Sequence, residues 1–247
     1  NTLLFGVGCI VVFWHMVKRF FTIQPFIPTV FFVFTPVFLL LSNYFKYDIA
    51  LSFWIIFSML LMLKYGQNLR RKTFVFAGIA SALAFATKIS APPLFLIYIG
   101  AFFYFTPNWK SHLRTFVLGV FAYAVTFLFF GIPDILLGKG NYLPVLNDVL
   151  LAGPTRMNVF ALGIPQGIYF LLDQFPSLFG YTFSALFLAS LGISIWIYLR
   201  RAYQSRAHEP FLLFALFVFS TSLVLLKLSA TGNRTLVLLP FMVMIAG

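Results

Sequence analysis

The sequence predicts an all-α protein, a polytopic bundle of about nine transmembrane helices, and three observations carry that reading. The 247 residues are 62% hydrophobic and only 9% charged, with a mean hydropathy of +0.99. An average soluble domain carries about 25% charged residues. The apolar residues fall in continuous runs that approach the ~20 needed to cross a bilayer. The charged residues sit in short clusters between those runs, and the every-second-residue alternation of a transmembrane barrel is absent.

Taken in order, Leu3 to Val17 is the first span and Lys18-Arg19 closes it. Phe26 to Leu41 is the second; its Pro28 and Pro36 are tolerable where neighbouring helices satisfy the freed backbone groups. A polar island, Ser42-Asn43-Tyr44-Phe45-Lys46-Tyr47-Asp48, leads into a third span from Ile49 to Leu63. Lys64 to Lys72 reads as a polar connection with Arg70-Arg71-Lys72 as its basic cluster, and Phe74 to Ala86 is the fourth span, closed by Thr87-Lys88. Pro92-Pro93 opens the fifth, which runs to about Phe105, and the Pro107-Asn108-Trp109-Lys110 turn leads past Arg114 into a sixth that ends near Ile132-Pro133-Asp134.

Residues 134–177 form a long extracytoplasmic loop in which Asn158 to Phe170 reads as a short interfacial helix. Leu178 to Leu199 and Phe211 to Leu226 are the seventh and eighth spans, and a truncated ninth starts at Leu236. The chain therefore divides into an N-terminal membrane module (1–133), the loop (134–177) and C-terminal spans (178–247). Gly78 and Ala82, four apart, predict a close helix contact. The chain opens on Asn1 and stops at Gly247 inside an apolar run, with no basic region and cleavage site of a signal peptide, so it is expected to be a piece of a longer protein.

The net charge of +12 does not indicate a nucleic-acid partner, since no basic stripe interleaved with exposed aromatics occurs outside the spans. The cations instead set orientation. Lys18, Arg19, Lys64, Arg70, Arg71, Lys72, Lys110, Arg114, Arg200, Arg201 and Arg206 fall on one side of the membrane; Lys46, Lys88, Lys139, Arg156, Lys227 and Arg234 fall on the other. The positive-inside rule makes the first set cytoplasmic and places Asn1 outside. Asp48, Asp134, Asp148 and Asp173 share the outer side, whereas Glu209 and all three histidines lie at or near the cytoplasmic one. Outer-face chemistry thus has carboxylates, Lys, Arg and Tyr to draw on. The lone Cys9 gives no disulfide, redox or zinc signature.

Asp48 is the leading candidate, because a carboxylate at the lip of a lipid-embedded helix is expensive unless it faces protein, water or an ion. Its plain alternative is a helix cap that suits the dipole. Lys46 either reaches a phosphate or neutralises Asp48. Lys88 has a snorkelling lysine as its alternative, and Tyr44 and Tyr47 read first as aromatics of the interface belt.

The run Tyr44-Phe45-Lys46-Tyr47-Asp48-Ile49-Ala50-Leu51, the span from Ala77 to Ala86 closed by Thr87-Lys88, and the segment Arg234-Thr235-Leu236-Val237-Leu238-Leu239-Pro240 resemble, in order and topology, the GT-C superfamily of membrane glycosyltransferases. The branch most similar contains protein O-mannosyltransferases and lipid A aminoarabinose transferases. The resemblance makes the first span here the second of the family, and assigns the principal catalytic acid to an outer loop that would precede this chain. It implies transfer of a sugar from a polyprenyl-phosphate carrier to a protein, lipid or glycan acceptor, at the outer face of a prokaryotic plasma membrane or the lumenal face of the endoplasmic reticulum.

Under that resemblance Asp48 is the second acidic residue, holding a divalent metal or orienting the first. Lys88, Arg234 and Lys46 bind the donor phosphate, and Tyr169, Arg156 and Asp173 line an acceptor or carrier groove. A cationic group or metal would steady the departing lipid phosphate, where charge develops. Two other classes share the composition: a transporter or flippase for a lipid-linked substrate, and a non-catalytic subunit of the same fold. No internal repeat of the kind common in transporters is evident.

Overall fold

The computed structural model describes residues 2–20, 24–34, 38, 47–88 and 92–132, with single positions between 189 and 218. Among the described residues every regular element is helical, as expected. They are α1 (Thr2–Phe20), α2 (Phe26–Phe34), α3 (Asp48–Asn68), α4 (Arg71–Thr87), α5 (Pro92–Phe105) and, after a 3₁₀ turn at Trp109–His112, α6 (Leu113–Phe130). Each falls on one of the first six predicted spans; of the second, expected over Phe26 to Leu41, the described helix covers Phe26–Phe34. Three stretches, Thr2–Phe20, Asp48–Asn68 and Trp109–Phe130, are long and apolar enough to cross a membrane, and Pro93–Phe105 is a shorter apolar helix. The long loop with its interfacial helix and the ninth span lie outside the described residues, as does most of the seventh and eighth.

One boundary differs from the sequence reading. The polar connection expected over Lys64 to Lys72 shrinks to Leu69-Arg70, because α3 continues through Asn68 and α4 starts at Arg71. Leu69 takes a left-handed conformation, φ 50°, which for a side chain of this kind costs roughly 1–2 kcal/mol. Two hydrogen bonds hold it there: Leu69 N–H donates to the Tyr65 carbonyl at 2.7 Å, and Arg70 N–H to Asn68 Oδ1 at 2.9 Å. Polarity marked the turn correctly, but it did not show that the long stems of Lys64 and Gln67 stay on the helix.

The contacts fix how the helices run. Cys9, near the middle of α1, meets the Ile49 carbonyl at the start of α3, while Arg19 Nε donates to Gln67 Oε1 at 3.0 Å near their ends, so the two run the same way. α4 returns antiparallel to α3, with Ser58 against Ser81 midway along both. Tyr65 on α3 shares a 2.8 Å hydrogen bond with Thr106 just past α5, so those helices finish at the same end. Phe85 stacks on Phe127 at 4.4 Å near the ends of α4 and α6. The alternation predicted from charge is the one observed: Lys18, Arg19, Arg70, Arg71, Lys72, Lys110 and Arg114 gather at one end of the bundle, and Asp48 and Lys88 at the other.

α4 packs against α3, α5 and α6, and its sequence explains why three helices approach it. Ala77, Gly78, Ala80, Ser81, Ala82 and Ala84 are all buried, and small residues let backbones come close where lipid offers no hydrophobic drive. Polar atoms in this layer have partners, as a site without water demands. Ser81 donates to the Ala77 carbonyl at 2.8 Å and lies 2.6 Å from the Ser58 hydroxyl. Around it Phe74 stacks on Tyr98 at 4.4 Å, and the Tyr98 hydroxyl donates to the Phe74 carbonyl. Farther out, Phe211 packs on Tyr104 and Phe105 of α5. Val117, Phe121, Phe129 and Phe130 of α6 stay exposed, which suits side chains that meet hydrocarbon.

Gly78 is the close contact the spacing predicted. A Cβ there would lie 2.8 Å from Tyr98 Oη and 2.9 Å from the Gly119 carbonyl oxygen, whereas one at Gly6 would meet nothing within 4 Å. A backbone oxygen cannot swing aside. Gly78→Ala is expected to destabilise the bundle by about 1–3 kcal/mol, seen as a lower unfolding temperature in detergent, while Gly6→Ala leaves that temperature unchanged or raises it.

Candidate functional site

The end of the bundle opposite the basic clusters is built from the first turn of α3 and the last turn of α4. α3 starts at Asp48 because the residue before it, Tyr47, supplies the carbonyl that accepts the Leu51 N–H at 2.9 Å. Ser52 adds a side-chain bond to the Asp48 carbonyl at 2.9 Å. Tyr47 is the N-cap, in a right-handed conformation, and no side chain caps the helix. Asp48 thus stands at the first helical position, as an acidic residue in the first turn, rather than at the cap itself. Its side chain turns toward α4 and is only 3% exposed.

Lys88 is the C-cap of α4, in extended conformation, with its N–H on the Ala84 carbonyl at 3.2 Å. Extended backbone at this position turns the chain out of the helix, and the Lys88 side chain reaches Asp48. Lys88 Nζ lies 2.5 Å from Asp48 Oδ1, and its side chain is 20% exposed. The same ammonium stands 5.2 Å from the centre of the Tyr47 ring. The next residue on α3, Ile49, is fully buried, and its carbonyl meets the buried Cys9 thiol of α1.

Each charge also suits its own helix. An anion in the first turn of α3 faces the positive end of that dipole, and a cation at the end of α4 faces the negative end of its own, worth roughly 0.3–1 kcal/mol each. An antiparallel hairpin sets these two ends side by side, so the pairing and both dipole contributions favour the same geometry. A carboxylate taken this far out of water is tolerable only with such a partner.

Of the residues the sequence singled out, Asp48 and Lys88 are brought together; Lys46, Arg156, Tyr169, Asp173 and Arg234 lie outside the described residues. The pairing of Asp48 with Lys88 spans 40 positions, whereas the sequence reading offers Lys46 as the neutralising partner of Asp48. The signal available was topological, since both residues fall on the outer side of the charge assignment. Nor did the sequence single out Tyr47 as a neighbour of Lys88.

Among the described residues no three His, Cys, Asp or Glu side chains come close enough to hold a metal. The ammonium on Asp48 Oδ1 would repel a dication, so these residues alone do not fit a metal site.

Fold and site together define a polytopic integral membrane protein with an acid–base pair held at one end of its helix bundle. The sequence signature described as dolichyl-phosphate-mannose-protein mannosyltransferase matches residues 2–134, which takes in all six described helices and both members of the pair. The chain belongs to that family, and is a membrane glycosyltransferase of the GT-C type, mannosyltransferase-like in sequence. No curated protein and no solved structure matches it.

Removing one partner of a buried pair costs about 3–5 kcal/mol; with Lys88 a fifth exposed, Lys88→Met is expected to destabilise by only about 2 kcal/mol. Asp48→Asn combined with Lys88→Met should recover most of that loss, since no unpaired charge is left. Unfolding of the two single variants and the double variant in one detergent measures the coupling.

Proposed function

We propose that this chain carries the donor-phosphate end of a site that transfers a sugar from a polyprenyl-phosphate carrier to an acceptor on the extracytoplasmic or lumenal face. The observation that supports this most directly is the Asp48–Lys88 pair at the end of the bundle away from the cytoplasmic cations, in a chain of the mannosyltransferase family. The positive-inside rule puts that end outside.

In this reading displacement at the anomeric carbon passes through a transition state in which negative charge grows on the departing lipid phosphate, and a fixed cation near that phosphate lowers the barrier. Lys88 is the residue for that role. Its ammonium has three donors, and an extended C-cap directs it past the helix end. Arg234 and Lys46 are proposed to share the phosphate, and Tyr169, Arg156 and Asp173 to line the acceptor or carrier groove.

Asp48 acts on position. With an ammonium on Oδ1 it is poorly placed to receive the proton of an acceptor hydroxyl, so it serves as the second acidic residue, keeping Lys88 oriented. The residue that takes that proton is not assigned within this chain. The acceptor is proposed to be a protein, as the family description names for its members.

Transfer from a radiolabelled polyprenyl-phosphate sugar, measured in membranes with the full-length protein, tests the assignment. Asp48→Asn and Lys88→Ala are each expected to lower the rate by about 10²-fold or more at matched protein level. Wild-type rates in both would return these residues to a purely structural pair.

A metal ligand role for Asp48 competes with Lys88 for the same oxygen. Transfer that survives EDTA leaves Lys88 as the counter-charge, and transfer lost to EDTA and restored by a divalent salt gives Asp48 to a metal.

A further inference from the structure

The Lys88 ammonium has two described neighbours of opposite character. One is the carboxylate of Asp48, 3% exposed; the other is the ring of Tyr47, a residue 60% exposed. The cation therefore has a buried anion and an exposed aromatic as neighbours, and its own side chain is a fifth exposed. A tyrosine of the interface belt needs only to lie at headgroup depth. Tyr47 does more, because its ring faces a specific cation, and its carbonyl ties it into the first turn of α3 through the Leu51 N–H.

We propose that Tyr47 is a positioning residue that, together with Asp48, holds the Lys88 ammonium at the phosphate-binding position when the phosphate of the lipid carrier arrives. This rests on the reading of Lys88 as a donor-phosphate ligand. The physical reason for an aromatic here is that its quadrupole attracts a cation without neutralising it. A second carboxylate in its place would quench the charge the phosphate needs, and an aliphatic side chain would leave a long, flexible lysine free to swing away. With the ring on one side, the ammonium keeps its N–H donors for an anion arriving from the exposed flank. Asp48 and the incoming phosphate then share one cation, each on its own N–H donor.

Equilibrium binding of a radiolabelled polyprenyl monophosphate to the purified full-length protein in detergent tests this without requiring turnover. Tyr47→Leu is expected to weaken binding roughly two- to fivefold, the range of a partly exposed cation–π contact. Tyr47→Phe, which keeps the ring face and removes only the hydroxyl, should bind like wild type and shows that the variant position itself is tolerated. In a Lys88→Ala background Tyr47→Leu should have no further effect, a coupling that a merely structural tyrosine would not give. Wild-type binding by Tyr47→Leu, equal weakening by Tyr47→Phe, or additive losses with Lys88→Ala would each overturn the proposal. Unchanged binding by Lys88→Ala itself would instead strike down the phosphate-site reading beneath it.

Discussion

Inside a bilayer a polar atom has no water to fall back on, and the described part of this protein is arranged around that constraint. The Asp48–Lys88 pair is its most demanding instance. A carboxylate on the inward side of a helix terminus needs a cation at hydrogen-bond distance, and only another helix ending at the same level can bring one. Deeper in, the same demand appears in milder form at Ser58, Ser81 and the Ala77 carbonyl, which satisfy one another between α3 and α4. The small residues of α4 follow from it, because hydroxyls as short as serine bridge two helices only when the backbones nearly touch.

The site inherits its character from this packing. The pair is held by two helix ends whose dipoles favour the charges they carry, so neither side chain depends on a loop for its position. One member is buried and the other partly open. That inequality gives the pair a direction: the carboxylate is fixed and the ammonium is the partner able to meet something arriving from the membrane surface. A cation that lies against a neutral aromatic as well as an anion is held by two neighbours and still keeps an N–H donor free.

Much of the bundle was legible because apolar run length and the placement of lysine and arginine are read directly from sequence. Six helices fall where the runs predict, and the contacts of Arg19 with Gln67 and Tyr65 with Thr106 reproduce the alternation inferred from charge. The turn at Leu69 was less legible. Leucine is a poor left-handed residue, and only the side chain of Asn68 and the carbonyl of Tyr65, acting together in three dimensions, make it one. The ion pair was legible by side of the membrane but not by partner. Lys46, nearer along the chain, lies outside the described residues, and nothing in a linear sequence sets Asp48 beside a lysine a full hairpin away.

The two-residue turn between α3 and α4 thereby acts as a ruler. With Leu69-Arg70 pinned at one end, the lengths of α3 and α4 alone decide which side chains meet at the other, some 40 positions apart along the chain. One residue more or fewer in α4 would rotate its last turn by about 100° and shift it by about 1.5 Å, swinging Lys88 off Asp48 and Tyr47 together. The geometry of the pair at one end of the bundle is thus gauged from the opposite end, where a single added or removed backbone step would part it.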